Sequence, residues 1–252
     1  MDMKFDPSEY AADPALAPLG KSLEYLMEDF VGNVSILEEV RLGRAEVLEE
    51  DSGCAMVFHK CVKACMISAR DPERAAECVE KAGTDFITVN SHEAERLAEA
   101  EGYIADDPCV QAAYLRPSVS LAEGPWDIRR LTYEEHFPVL ERTYDGLPPE
   151  LTAERLRKGM VYGLFEGGSL KGYIGSHEEG SIGMLYVFPE ERHKGYARVL
   201  EEFMISKKLS EGVIPFAQIL EDNVSSLSLQ KNIGMELSRG RVIWMERSGS
   251  RS

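Results

Sequence analysis

Apolar residues recur at helical spacing at Leu23, Leu26, Met27 and Phe30, which predicts a helix over residues 21–31. Before it, Pro7, Pro14 and Pro18 lie among small residues and predict an irregular lead-in. Four short runs then favour strands: Val34–Leu37, Ala45–Leu48, Cys54–His59 and Val62–Ser68, with Gly43 and Asp51-Ser52-Gly53 as turns between them. Asp71 caps a helix that carries Pro72 in its first turn and runs to about Ala82. A strand over Asp85–Val89, a helix from Ser91 and His92 to near Gly102, and a strand over Cys109–Leu115 complete this part.

Residues 116–125 hold Pro, Ser and Gly with few large apolar side chains and read as a linker. A second series follows. It has a strand at Asp127–Leu131, helices at Tyr133–Thr143 and Leu151–Lys158, and strands at Met160–Glu166 and Leu170–Ser176 joined by Gly167-Gly168. A largely apolar strand at Ser181–Phe188 ends at Pro189 and leads to a helix over His193–Leu209. A strand at Pro215–Leu220, a short helix at Val224–Asn232 and a strand at Arg241–Met245 close the series. Antiparallel strands followed by a strand–helix–strand crossover predict an α/β fold with a mixed sheet. The division expected is an N-terminal α/β domain at 1–115, the linker, and a C-terminal domain at 126–252.

Composition narrows the class. The 252 residues are 44% hydrophobic, enough for packed cores rather than disorder. No apolar run approaches the roughly 18 residues that span a bilayer. The acidic start from Met1 to Tyr10 has no signal-peptide pattern, so a cytoplasmic location is expected. The five cysteines (Cys54, Cys61, Cys65, Cys78 and Cys109) are odd in number and without a framework, which predicts reduced thiols. His59, Cys61 and Cys65 lie close together but lack a second ligand cluster, so no metal site is expected. Residues 1–125 carry 11 Lys and Arg against 25 Asp and Glu, whereas residues 126–252 carry 17 against 19. The net charge of −16 argues against nucleic acid or an anionic membrane as partner, and the near-neutral half is the better host for an anion.

The segment from Leu185 to Ala197 concentrates the chemistry. A strand runs into a basic turn of small residues that opens a helix, and the first turn of a helix offers unpaired N–H groups and partial positive charge. Gly195 and Ala197 allow close approach, while Arg192 and Lys194 bring charge to where a pyrophosphate would lie. Arg192-His193-Lys194-Gly195-Tyr196-Ala197 resembles the (Gln/Arg)-x-x-Gly-x-(Gly/Ala) signature of the GNAT superfamily of N-acyltransferases. Asn223-Val224-Ser225-Ser226-Leu227-Ser228-Leu229, followed by Gly234-Met235, resembles its second signature, Asn-x-x-Ser-x-x-Leu-Tyr and then Gly-Phe. The run from Gly180 is most similar to the branch that includes glycine N-acyltransferases.

The resemblance implies an N-acyltransferase, an acetyltransferase foremost, that uses acetyl-CoA or another short acyl-CoA, no metal, and a small-molecule amine or amino acid as acceptor. It implies that the strand around Leu185, Tyr186 and Val187 pairs with the pantetheine arm, with the Val187 N–H as donor to the thioester oxyanion. Arg192, His193, Lys194, Gly195, Tyr196 and Ala197 would hold the pyrophosphate, and Asn223 and Ser226 the pantetheine or the helix start; Asn223 would serve equally as a plain N-cap. A lysine-like acceptor amine must lose a proton at a cost of about 4.6 kcal/mol at pH 7, so a general base is useful. Ser181 occupies the family's position for it and Glu179 lies two residues earlier, on the same face if the strand extends that far; His177 and Glu221 are the runners-up. The first series repeats the order of the second, which predicts a degenerate GNAT-like first half. It would not bind CoA, because Ser68-Ala69-Arg70-Asp71-Pro72-Glu73-Arg74 lacks the glycine and has acids where the phosphates would lie. The sequence leaves a homodimer open.

The family's tyrosine that protonates the departing thiolate is replaced here by Gln230, and its phenylalanine by Met235. The alternative reading is therefore a CoA-binding protein with weak or no catalysis. A thiol with a pKa near 8.5 is only modestly basic, so the missing acid need not abolish turnover. Gln230→Ala should keep most of the activity in a free-thiol release assay. A thousandfold fall in kcat, about 4 kcal/mol, would contradict a spectator role.

Overall fold

The computed structural model describes residues 5–91 and 102–248. Its first series opens with α1 (Pro7–Ala11), capped by Asp6, and a 3₁₀ turn at Pro14–Leu19 that buries Leu16 and Leu19. Helices α2 (Ser22–Glu28) and α3 (Phe30–Arg41) follow. The strand expected at Val34–Leu37 is thus the middle of α3, and the lead-in is partly helical. Every residue from Phe30 to Val40 is buried, so α3 shows no exposed polar face, and its β-branched Val31, Val34, Ile36 and Val40 imitate a strand. Strands β1 (Ala45–Asp51), β2 (Cys54–His59) and β3 (Ala64–Ala69) form an antiparallel meander. After it come α4 (Pro72–Lys81), capped by Asp71, then β4 (Phe86–Ser91), β5 (Tyr103–Ala105) and β6 (Cys109–Ala113). Strand β4 runs parallel to β3, with Ser68 opposite Asn90. The helix expected from Ser91 and His92 falls on residues 92–101, outside the described residues.

The second series comprises β7 (Trp126–Arg130), α5 (Tyr133–Thr143), α6 (Pro149–Arg157), β8 (Val161–Glu166), β9 (Ser169–Ser176), β10 (Ile182–Val187) and α7 (Tyr196–Ser210). It ends with β11 (Phe216–Leu220), α8 (Val224–Ile233), β12 (Glu236–Leu237) and β13 (Arg241–Arg247). The two-residue β12 carries too little pattern to be read from sequence. In both series an antiparallel meander feeds a helix and then another strand: β1-β2-β3-α4-β4 and β7-β8-β9-β10-α7-β11. The mixed α/β architecture with a repeated first half is the one the sequence pattern predicts.

Packing divides the chain differently from the repeat. One compact unit joins residues 1–115 to 216–252, and the other is residues 116–215. In the first, the strand order is β1-β2-β3-β4-β13-β6-β11, so the last strand lies inside the sheet. Strand β13 pairs antiparallel with β4 from Arg241 opposite Ser91 to Glu246 opposite Phe86, and meets β6 at Val242 and Cys109. Ile243 and Met245 are buried with Ile67, Ile87, Val89 and Val79 in one core. A polar ladder fixes α3 to the same sheet. Trp244 Nε1 donates to Gln218 (2.7 Å), Gln218 to Gln111 (3.5 Å), and both Gln111 and Asn90 donate to the Gly32 carbonyl of α3. All of these groups would be costly to bury unpaired.

The second unit is the four-stranded meander β7-β8-β9-β10. Gly167 and Gly168, both at positive φ, make the β8–β9 hairpin turn. Leu131, Leu140, Leu156, Phe165, Tyr173 and Met184 form a core between the sheet and α5 and α6. Helix α7 packs on β9 and β10, and its Phe203 ring lies 5.1 Å from Tyr162. Residues 116–125 contain no helix or strand.

Among the described residues no helix is long and apolar enough to cross a membrane, and no cluster of His, Cys, Asp and Glu could hold a metal. His59 pairs with Glu39 (2.8 Å) inside the first unit and accepts the Val62 N–H (3.1 Å). Cys61 is exposed and Cys65 is buried, so the three do not converge. Ile243→Ala and Ile87→Ala should each destabilise the first unit by about 3 kcal/mol, despite their separation in sequence. Denaturant titration of both variants checks this.

Candidate active site

The chemistry of the second unit gathers along β10. That strand pairs Gly183 with Gly175 and Tyr186 with Tyr173, so Met184 and Leu185 together face Ile174 alone. The resulting β-bulge holds Met184 at φ 54°, unusual for a residue with a side chain. Beyond it, the Phe188 N–H donates to the Lys171 carbonyl on the β9 side (3.2 Å). Alternation then points the backbone of Val187 away from β9, where its carbonyl accepts from Arg192 Nε (3.2 Å). The Val187 N–H points the same way. Tyr186 instead stacks on Tyr173 at 5.4 Å and is part of the α5–α6 core.

Five side chains gather about the start of the bulged strand. Glu179 and Ser181 are both buried, and the Ser181 hydroxyl donates to the Glu179 carboxylate. The expected strand does not reach Glu179, which sits in the β9–β10 turn where His177 N–H donates to the Ser181 carbonyl (2.9 Å). Lys208 of α7 donates to the Gly180 carbonyl (3.0 Å) and secures that turn. The His177 ring lies against Gly183, where any side chain would collide with it. Tyr144, at the end of α5, receives the Met184 N–H, and burial pushes its phenol up to about 12, so it is neutral near pH 7. Sequence reading missed Tyr144 and the bulge: a tyrosine after a helix and a Met-Leu pair inside a strand carry no distinctive pattern.

The basic turn follows directly. A 3₁₀ turn at Pro189–Glu191 leads to His193 at φ 62° and Gly195 at φ 88°, and Gly195 caps α7. Left-handed residues in such a turn curl successive N–H groups to one side, and the helix start adds partial positive charge. No atom lies within 4 Å of where a Gly195 side chain would begin, so the space beside it is open. Arg192, His193 and Lys194 are exposed. Tyr196 faces inward, donating to Glu166 and meeting the Trp126 ring edge-on at 6.3 Å, so only its backbone is presented at the turn. Ala197 is half-buried in the first turn of α7.

Glu191 accepts from Lys194 (2.7 Å) and Lys171 (2.8 Å). The two ammonium groups, Lys171 foremost, hold its carboxyl below the usual carboxylate range.

The second motif lies in the other compact unit. Asn223 accepts from the Ser226 N–H (3.1 Å) and the Ser225 hydroxyl (2.9 Å), so it caps α8, and Gly234 ends that helix at φ 103°. Gln230 is buried. Glu221 is paired with Arg241, which holds its carboxyl low. The corresponding helix start of the first series, at α4, is closed by its own chain: Asp71 accepts the Glu73 N–H (2.9 Å) and Pro72 has none to offer.

Residues 161–244 match the family model described as FR47-like protein. A crystal structure of a Drosophila protein is similar over 98% of both chains, with TM-score 0.64 and 16% identity. A GCN5-related N-acetyltransferase from Kribbella flavida matches with TM-score 0.54 and 9% identity, over 87% of this chain and 95% of that one. A GNAT-family acetyltransferase from Colwellia psychrerythraea matches with TM-score 0.51 and 11% identity, over 98% and 100%. This chain has the GNAT fold. No curated protein matches its sequence. In the GNAT fold of this chain the FR47-like segment runs from β8 into β13 and includes both the bulged strand and the basic turn.

The Glu191 pairing has a measurable consequence. Because its folded pKa is depressed, the pairing contributes stability above the ordinary carboxylate range and loses it as pH falls through the lowered value. Near neutral pH, Glu191→Gln should free both lysines and tighten inorganic pyrophosphate binding by about fivefold at low salt. The gain should vanish at high ionic strength, as calorimetry at two salt concentrations would read.

Proposed function

We propose that this protein is an acyl-CoA-dependent N-acyltransferase that moves a short acyl group, acetyl foremost, from CoA to the amine of a small molecule or amino acid. The observation that carries the reading is the continuous run from the bulge at Met184 to the left-handed Gly195 at the start of α7. In this reading the edge of β10 at Leu185 and Val187 pairs with pantetheine, and the Val187 N–H meets the thioester oxygen. The turn from Arg192 to Ala197 takes the pyrophosphate through backbone N–H groups and the exposed Arg192 and Lys194.

Glu179 and Ser181 supply the base. The Ser181 hydroxyl, already donating to Glu179, passes a proton from the attacking ammonium to the carboxylate, and the neutral amine then attacks the thioester carbonyl. The nitrogen of the tetrahedral intermediate then gives up its second proton to solvent, and collapse breaks the C–S bond and releases the amide and CoA thiolate, which takes a proton from solvent in turn. Tyr144, neutral and next to the bulge, hydrogen-bonds rather than ionises. The acceptor chemistry follows the resemblance of the run from Gly180 to the glycine N-acyltransferase branch.

The second reading, a CoA-binding protein of little activity, is favoured by the buried Gln230 in place of the usual tyrosine. One experiment separates the two. Calorimetry should give one acetyl-CoA per chain, because the α4 start of the first series is self-capped. Arg192→Ala should weaken that binding tenfold or more, and Gly195→Val further, since valine also strains at φ 88°. Free thiol should appear when an amine panel is added, and Glu179→Gln should slow it about a hundredfold without changing acetyl-CoA affinity. Binding without thiol release from any amine would favour the second reading; unchanged binding in both loop variants would overturn the first.

A further inference from the structure

Two thiols meet in the core of the first unit. Cys54 opens β2 and Cys78 lies on the buried side of α4, and their sulfurs are 3.5 Å apart with neither residue exposed. A disulfide holds its sulfurs at about 2.05 Å, so the gap left to close is about 1.5 Å. The backbone on either side is held in place. Arg74 of α4 pairs with Glu49 (2.6 Å) and Asp51 (3.1 Å) of β1, and Lys81 pairs with Glu49 (3.0 Å). Asp51 in turn accepts the Gly53 N–H (2.8 Å), immediately before Cys54.

The other cysteines are placed differently. Cys65 is also buried but donates to the Ala82 carbonyl (3.4 Å), as a cysteine used as a small hydrophobe can. Cys61 is exposed, and burial pushes the Cys109 thiol up to about 11. The two paired thiols also differ from each other. The hydrogen bond from Cys54 favours the Cys78 thiolate against the cost of burial, and the charges of Arg74 and Lys81 support it while Glu49 opposes it. The same bond, together with burial, pushes the Cys54 thiol up. One sulfur is therefore suited to attack an oxidant, and its neighbour to resolve the product.

Neither sulfur reaches solvent while α4 is in place. That helix is anchored by only three buried side chains, Ala75, Cys78 and Val79, and brief lifting of such an element is an ordinary local opening. Opening exposes Cys78 to a small reagent, and reclosing returns it to Cys54.

We propose that Cys54 and Cys78 form a reversible dithiol–disulfide site that reacts with hydroperoxides. The Cys78 thiolate attacks the peroxide O–O bond and becomes a sulfenic acid, while the other oxygen leaves as hydroxide or alkoxide. The Cys54 thiol then attacks that sulfur: the S–S bond forms, the S–O bond breaks, and water leaves with the Cys54 proton. The disulfide fixes α4 to β2 and needs no residue of the candidate active site. The test treats the reduced full chain with hydrogen peroxide, blocks remaining thiols by alkylation under denaturing conditions, and maps the peptides. Cys54 and Cys78 should be cross-linked within one chain, and the Tm should rise by about 5 °C, both reversed by dithiothreitol. Asp71→Ala, which removes the α4 cap, should speed cross-linking about fivefold. Cys54→Ser should stop at the sulfenic acid on Cys78, captured by dimedone, and Cys78→Ser should leave Cys54 a free thiol. The measurement on the natural chain stands whether or not the serine variants fold. Both thiols still open to alkylation after peroxide has oxidised the exposed Cys61, or a link from Cys78 to Cys65 instead, would overturn the proposal.

Discussion

Strand β13 has sheet partners on both edges, β4 on one side and β6 on the other, and both belong to the first 115 residues. Much of the first unit follows from that insertion. Its core is shared between Ile67, Ile87 and Val89 and the incoming Ile243 and Met245, and the ladder from Trp244 through Gln218 and Gln111 to Gly32 ties α3 to strands from both ends of the chain. Neither edge could stay bare at low cost, because an unpaired central strand exposes a row of N–H and C=O groups. The repeated element order and the packed units therefore describe two different things. One records a likeness between segments, the other which segments share a core.

The elements that could be read from sequence are those whose local chemistry agrees with their packing. Asp71-Pro72 starts α4, Gly167-Gly168 turns β8 into β9, and Gly234 ends α8, each because only a few residue types permit that backbone. Helix α3 was misleading because burial on all sides removes the polar stripe that marks a helix, leaving valine and isoleucine to suggest a strand. The insertion of β13 is a matter of long-range pairing, to which its seven residues give no clue. At the candidate site, the basic turn was legible because glycine and charge at a helix start have few other uses. The bulge and Tyr144 were not, since register is a property of two strands and a buried phenol depends on what covers it.

The two series treat their first helix after the meander in opposite ways. At α7 the cap is Gly195, with exposed cations before it and open space beside it. At α4 the cap is Asp71, whose carboxylate occupies the donor that an anion would need, followed by a proline that has no donor. The same architecture thus leaves one helix start open and closes the other through a handful of side chains.

The position of β13 also orders events during synthesis. Strand β4 is complete at Ser91, yet its partner begins at Arg241, so β4 waits while some 150 further residues are made, roughly 8–30 s at ordinary elongation rates. Throughout that time Phe86-Ile87-Thr88-Val89 presents an unpaired, strongly β-forming edge on the growing chain. The first series must therefore wait half-built on the ribosome, which makes this strand the segment where a chaperone would have most to protect.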